Sequence, residues 1–232
     1  MANLATIVQL VAVISACWAI ISGVGAWKRE FIGKRKIELA EQVLAKFFEV
    51  RDAVAFIRNP FSNSNEGKSR ERSQNEDKAE SELLDRGYIV VERFQKKEAC
   101  FLEFNTLKYR FMAAFGRDSE DIFLETTKTV NSIFISARML STHYWQRQGR
   151  VPMEADEFKR HLDEMHRHES IFWEMGGEDD ETSKKLQHIL ERLEKITAPC
   201  FQEPMSTYSL LTNRWAWADN LSKRTREKPR AA

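Results

Sequence analysis

The chain has 232 residues, a formal net charge of +1 and 31% charged residues. This length suits one domain plus an additional segment. The near balance of charges argues against a dedicated nucleic-acid binder, which normally carries a clear basic excess. Nine Gly and five Pro are few for this length, which favours long helices over a many-turned β fold. The three cysteines are scattered and form no CxxC pair, so a reducing compartment fits best.

Residues 4–27 form an uncharged, apolar stretch that predicts a transmembrane helix. The stretch reads LATIVQLVAVISACWAIISGVGAW, and about 20 such residues are enough to cross the hydrocarbon core of a bilayer. Trp27 closes it, and indole rings favour the membrane–water interface. We therefore predict a transmembrane anchor over residues 1–27.

A basic cluster follows the anchor and predicts its orientation. No Lys or Arg precedes the apolar stretch, and Glu30 is the single acid within the cluster. The positive-inside rule then places the N-terminus outside and the rest of the chain in the cytoplasm, where the cluster meets the membrane surface. We expect a single-pass protein of the cell membrane, of the bacterial inner-membrane kind. The cluster consists of Lys28, Arg29, Lys34, Arg35 and Lys36.

Two other interpretations of the apolar stretch fit less well. A cleaved signal peptide carries its positive charge before a shorter apolar region, whereas here the charge follows a longer one. A buried core helix of a water-soluble protein seldom contains an uncharged stretch of this length.

One face of the anchor carries small side chains and one amide. Small residues let helices approach closely in lipid, and an amide can hydrogen-bond across the contact. The face therefore predicts self-association of the span, and its seven-residue period suits a left-handed crossing. Alternatively, the small residues reflect the general composition of spans. The face contains Ala5, Gln9, Ala12, Ala16, Ala19, Gly23 and Ala26.

The remaining segments predict an all-α fold, in which one N-terminal transmembrane helix is followed by an antiparallel helical bundle. A juxtamembrane helix is expected over 28–58, with Gly33 as its weak point, and Pro60 ends it. Residues 59–77 are polar and rich in Asn and Ser, which predicts a flexible loop. Short connections between amphipathic segments favour a bundle over 78–198. Its helices are predicted over 79–115, 119–148, 153–175 and 180–197, with a short last helix over 206–221.

Two local features of this bundle stay open. Gly87 is a candidate kink, and the β-branched run 88–91 after it suits either a helix or a short strand. Residues 199–232 form a basic, aromatic tail that predicts contact with an anionic membrane surface or with a protein partner. The residues that carry this prediction are Trp215, Trp217, Lys223 and Arg224. Stacking on single-stranded nucleic acid is a further alternative for the two indoles.

The helix predicted over 153–175 carries the densest polar constellation. His161, Glu164 and His168 share one side with Glu157, at spacings that suit a divalent metal. An apolar stripe of Phe158, Leu162, Met165 and Phe172 lies beside them. We therefore expect the polar side to be solvated, with metal binding as the alternative.

Glu169 falls inside that apolar stripe, between Met165 and Trp173. A carboxylate in such surroundings needs a partner or a raised pKa. An arginine such as Arg138 or Arg110 is the predicted partner, and the sequence leaves open whether Glu169 is structural or functional.

These features predict a membrane-tethered cytoplasmic helical module that acts as a scaffold or sensor and forms a homo-oligomer through its span. A protein partner on the bundle surface is a further expectation. We predict no catalytic residue and no cofactor. The first alternative is an oligomerising membrane effector that perturbs the bilayer, which Gln9 suggests. The second is a metal-dependent enzyme centred on residues 153–175.

Overall fold

The computed structural model describes residues 2–175 and 180–201, without the side chains of residues 2–5, 26 and 29. Within these ranges the chain is helical and contains no strand, so the predicted all-α fold is confirmed. Residues 88–91 lie inside a helix, which excludes the strand. The helices are α1 (Ala2–Arg58), α2 (Lys78–Thr106), α3 (Lys108–Phe115), α4 (Glu120–Met139), α5 (Trp145–Arg147), α6 (Ala155–Phe172) and α7 (Glu181–Phe201), with a 3-10 turn at Arg117–Ser119 and a π-helical turn at Leu140–Tyr144.

Helix α1 is a single helix of 57 residues that contains both the apolar stretch and the predicted juxtamembrane helix. It passes through Gly33 without a break, because one helical glycine costs only about 1 kcal/mol and no proline interrupts the segment. Its first half is uncovered, since large apolar side chains between residues 7 and 24 are 57% to 73% exposed. From Leu39 onward, its inward face is buried at helical spacing: Ala40, Val43, Phe47, Val50 and Val54.

The second half of α1 packs with α2, α4 and α7 as a four-helix bundle. Helix α1 contacts α2 and α7, and α4 contacts the same two helices, so the four form a closed ring around one core. At the near end, where α1 enters the bundle, the rings of Phe104 and Phe123 stack with centroids 4.7 Å apart. At the far end, the last residue of α1, Arg58, meets Asp180 just before α7. Successive bundle helices therefore run in opposite directions.

Gly87 serves close packing, and α2 continues through it as one helix. A Cβ atom at position 87 would lie 2.5 Å from Ser141 Cβ and 3.0 Å from the carbonyl oxygen of Ala137. The missing side chain thus lets the end of α4 approach the backbone of α2.

Helix α6 buries Met165 and Phe172 of the predicted apolar stripe, but its inward face is shifted towards the two histidines and away from Phe158. His161, Met165, His168 and Phe172 are buried, whereas Phe158 is 43% exposed. The expectation that the two histidines lie on a solvated side is therefore wrong. The reason is the packing of α6 across the far end of α4, where the Tyr144 ring lies 5.4 Å from the His161 ring and 5.3 Å from the His168 ring, between centroids.

Residues 59–77 contain only turns and irregular backbone, and several side chains tie them to α2. Arg93 of α2 donates to the carbonyl oxygens of Asn59 and Phe61 and forms an ion pair with Glu66 at 2.8 Å. Arg70 bonds both Glu76 and Asp85. The predicted flexibility of this segment stays a prediction, and these contacts act against it.

Candidate functional site

The exposed half of α1 is a surface that no other part of the described chain covers. It is long and apolar enough to cross a membrane. The hydroxyl groups of Ser15 and Ser22 donate to the carbonyl oxygens of Val11 and Trp18, at 2.8 Å and 2.7 Å. Polar groups satisfied within their own helix suit an apolar solvent, in which water cannot replace a missing hydrogen bond.

The predicted self-association face lies on this uncovered surface. Gln9, Ala12, Ala16, Ala19 and Gly23 are all exposed. A Cβ atom at position 23 would meet no other side chain within 4 Å. The side chains of Ala5 and Ala26 are not described. The face is therefore open to a second helix, and self-association stays a prediction.

The end of the apolar stretch continues into a ladder of aromatic and basic side chains. The rings of Trp27 and Phe31 stack with centroids 5.7 Å apart, and the guanidinium of Arg35 lies 4.7 Å from the Phe31 centroid. Lys36 instead turns to α3, where its ammonium lies 5.7 Å from the Phe115 ring. This ladder has the amphipathic character that side chains adopt at a membrane interface.

The rest of the predicted membrane-surface set is only partly described. Lys28 and Lys34 are exposed, and the side chain of Arg29 is not described. The four tail residues, Trp215, Trp217, Lys223 and Arg224, lie outside the described residues.

A buried ion pair fastens the far end of α1 to α6 and α7. The Arg58 side chain is 1% exposed, and its Nη1 lies 2.8 Å from Asp180 Oδ2. Its Nε and Nη2 donate to carbonyl oxygens near the end of α6, at 2.8 Å from Ile171, 2.8 Å from Ser170 and 2.9 Å from Trp173. These carbonyls form the negative end of the α6 dipole, so the guanidinium is held by both charge and hydrogen bonds.

Asp180 completes this clamp and begins α7. Its Oδ1 accepts hydrogen bonds from the backbone N–H groups of Thr182 and Ser183, as a helix N-cap does. Burial alone would raise the pKa of Asp180, but the bonds from Arg58 and these two amides outweigh it and lower the pKa below its usual value. The carboxylate therefore stays charged in the folded protein at neutral pH.

The clamp was not among the sequence-based expectations, although one signal was present. Arg58 follows Val54 by four residues and so continues the apolar stripe of α1. A cation at the next position of such a stripe indicates a buried, paired charge. The partner at position 180 had no comparable signal.

The two histidines of α6 are buried against α4 and against the Tyr144 ring of the π-helical turn. His168 Nδ1 lies 3.1 Å from Ser136 Oγ, while His161 Nε2 is buried without a hydrogen-bond partner. Burial lowers the pKa of both histidines, and the nearby cations Arg147 and Arg167 act in the same direction. Both rings therefore favour the neutral form.

The structure does not bring the three candidate metal ligands together. The Tyr144 ring lies against both His161 and His168, and Glu164 is exposed with its carboxylate 3.4 Å from Arg167. Within residues 2–175 and 180–201, no group of three His, Cys, Asp or Glu side chains is placed to hold a metal.

Glu169 has a partner other than the predicted arginines. Its Oε1 accepts a hydrogen bond from the indole Nε1 of Trp145 at 2.8 Å. The prediction of Arg138 or Arg110 is therefore wrong, because α5 places an indole N–H at this point of α6. The bond links α5, directly after the π-helical turn, to α6 and gives Glu169 a structural role.

No protein-family model matches the chain, and no curated protein and no solved structure matches it either.

Proposed function

We propose that this chain is a membrane-tethered helical module that acts as a scaffold or sensor at the cytoplasmic face and self-associates through its span. The observation that carries the proposal is the continuity of α1, which joins an uncovered apolar surface to the core of the bundle in one helix. Exposed apolar surface of this length has to be covered by lipid or by other helices.

The geometry of α1 suits a helix that passes a movement of the span on to the bundle, or that holds the bundle at a fixed distance from the membrane. Between Trp27 and Arg58 the helix is about 46 Å long, at 1.5 Å per residue. Its far end is held by the buried clamp of Arg58 on Asp180, and its middle is packed in the core. A rotation or tilt of the span would therefore act on the bundle directly, since no hinge interrupts the described helix.

Self-association is supported by the open face of small residues on the span. The test uses the full-length chain in its native membrane, with Ala12→Leu and Gly23→Leu on the face. Cys17→Leu is the matched control, because 100° per residue places Cys17 on the other side of the helix. We expect chemical crosslinking to give dimers or larger species that decrease several-fold in the two face variants and persist in the control.

Two outcomes would overturn parts of this proposal. A wild-type chain that stays monomeric, with all three variants behaving alike, would refute self-association. Full-length protein that remains in the supernatant after high-speed sedimentation of lysed cells would refute the tether itself.

The same cells separate the proposal from the bilayer-perturbing effector. Gln9 lies on the small-residue face, and assembled spans could use its amide to admit water. A scaffold or sensor leaves membrane permeability unchanged upon induced expression, whereas an effector releases a trapped dye. A release that disappears in Gln9→Leu would replace the proposal by the effector.

A further inference from the structure

A groove of about 680 Å³ lies between α1 and α3, directly after the apolar stretch. It has an apolar part and a cationic part. Helix α1 contributes Phe31, Ile32, Arg35 and Lys36, and α3 contributes Arg110 and Ala113. Both Phe31 and Ile32 are almost half exposed, at 44% and 47%.

Its charge is positive. Arg35 and Lys36 make ring contacts, and none of Arg35, Lys36 and Arg110 has a carboxylate partner in the part of the chain that the structure describes. Glu38 is the single acid in the lining, so the groove carries a net charge of about +2. Three cations without a carboxylate in one concavity fit an anion, and the two arginines offer the forked donors that match a phosphate.

The groove also lies at a depth that suits contact with lipid headgroups. If Trp27 marks the interface, Arg35 lies about 12 Å further along the helix axis, at 1.5 Å per residue. Helical side chains point back towards the N-terminus, so that of Arg35 reaches towards the membrane. The polar headgroup layer is roughly 5–8 Å thick on each side of the hydrocarbon core. The cationic part of the groove can thus meet headgroup phosphates, while Phe31 and Ile32, about 6–8 Å beyond Trp27, lie on the side of it that is nearer the hydrocarbon core.

We propose that this groove binds one anionic phospholipid, with its phosphate held by Arg35, Lys36 and Arg110 and an acyl chain along Phe31 and Ile32. The proposal rests on the proposed membrane tether. The apolar walls favour a lipid over a free phosphate ion, which would leave them uncovered. A bound lipid would bridge α1 and α3, and so the lipid composition of the leaflet would affect how firmly the span is joined to the bundle.

The experiment uses the full-length chain in nanodiscs of equal parts phosphatidylcholine and phosphatidylglycerol. After release into detergent, native mass spectrometry counts the lipids that remain bound. We expect the wild type to retain phosphatidylglycerol in preference to phosphatidylcholine. Arg35→Gln and Arg110→Gln should each lower this retention about five-fold, which corresponds to about 1 kcal/mol per cation.

Lys34→Gln is the matched control, since Lys34 adjoins Arg35, is exposed and does not line the groove. It should keep wild-type retention. An equal loss of bound phosphatidylglycerol in Lys34→Gln would show that the basic surface attracts anionic lipid in general, and would overturn the proposal. Displacement of phosphatidylglycerol by inorganic phosphate would replace it by a free-anion site. If Arg110→Gln retained lipid like the wild type but formed fewer crosslinked oligomers in the membrane, the groove would be a protein contact and not a lipid site.

Two different results would contradict the membrane tether and the lipid site. A chain that does not insert into nanodiscs contradicts the proposed function. A chain that inserts and retains both lipids alike contradicts the lipid site alone. Thermal unfolding of each variant shows whether the exposed substitutions leave the fold intact.

Discussion

Replacing Asp180 by alanine should destabilise the fold by about 3–5 kcal/mol, because it leaves a buried guanidinium without its counter-ion. Arg58 is 1% exposed and Asp180 6%, so water cannot take over the lost contacts. The carboxylate also caps α7 through the N–H groups of Thr182 and Ser183, and a lost N-cap costs about 1 kcal/mol. Three carbonyl oxygens at the end of α6 still accept from Arg58 and limit the loss.

The assay is urea unfolding of the full chain in detergent, followed by helical circular dichroism. Asp52→Ala is the matched control, because the Asp52 side chain is 79% exposed and lies 3.9 Å from Arg51. Such a surface pair should contribute less than about 0.5 kcal/mol. If the Asp180→Ala variant were as stable as the Asp52→Ala variant, the assignment of a stabilising clamp would be refuted.

A second variant tests the origin of the loss. Arg58→Met combined with Asp180→Ala should be less destabilised than the sum of the single variants, since both buried charges are then removed together. Additive effects would show that the two groups act independently.

The clamp also predicts a dependence on pH. The pKa of Asp180 is lower in the folded chain than its usual value of 3.8, so its contribution to stability is present above that pH and is lost as the pH falls through the folded-state pKa. The loss of stability on acidification below pH 3.8 should therefore be smaller in Asp180→Asn than in the wild type.

Three further substitutions have clear expected outcomes. Gly87→Ala should destabilise by about 1–3 kcal/mol, because its Cβ would lie 2.5 Å from Ser141 Cβ, whereas Gly33→Ala, with nothing within 4 Å, should stabilise by about 0.5–1 kcal/mol. His161→Leu should keep or raise stability at neutral pH, because it removes a buried ring nitrogen that has no partner. Because burial lowers the pKa of His161, the unfolded chain takes up a proton first as the pH falls below 6.5, and stability decreases; His161→Leu should reduce that decrease.

Unfolding midpoints measured across the pH range from about 5 to 8, in which histidine titrates, check all three. A Gly87→Ala variant as stable as the wild type would show that α4 does not approach α2 so closely. A wild-type midpoint that is independent of pH between these limits would contradict the burial of the histidines.

Much of the fold was predictable, because it depends on local patterns. The uncharged stretch up to Trp27 predicts a transmembrane helix, and the absence of Pro before Pro60 predicts that it continues as a juxtamembrane helix. The polar run after Pro60 predicts a loop. Helical spacing of apolar residues also predicted α7 within a few residues of its ends and the start of α4, which passes into the π-helical turn at Leu140. The small-residue face was predictable for the same reason, and its described side chains are uncovered.

The inward side of α6 was only partly predictable from its own periodicity. Its centre, Met165 and Phe172, is buried as predicted. Two flanks were available beside this centre, one with Phe158 and Leu162 and one with His161 and His168. Apolarity favoured the first, but the ring of Tyr144 provides an aromatic surface for the second. The choice depended on which helix packs against α6, and this information lies outside the segment.

The sequence by itself determined where this chain is apolar, where its main helical segments lie, and which end of the apolar stretch carries the basic cluster, since each of these depends on residues a few positions apart. The tertiary structure alone decided which charges meet. Arg58 and Asp180 are 122 positions apart, and only the antiparallel return of the chain to α7 brings them within 2.8 Å. The groove between α1 and α3 has the same origin, because Arg35 and Arg110 come together only when α2 returns the chain to the near end of the bundle.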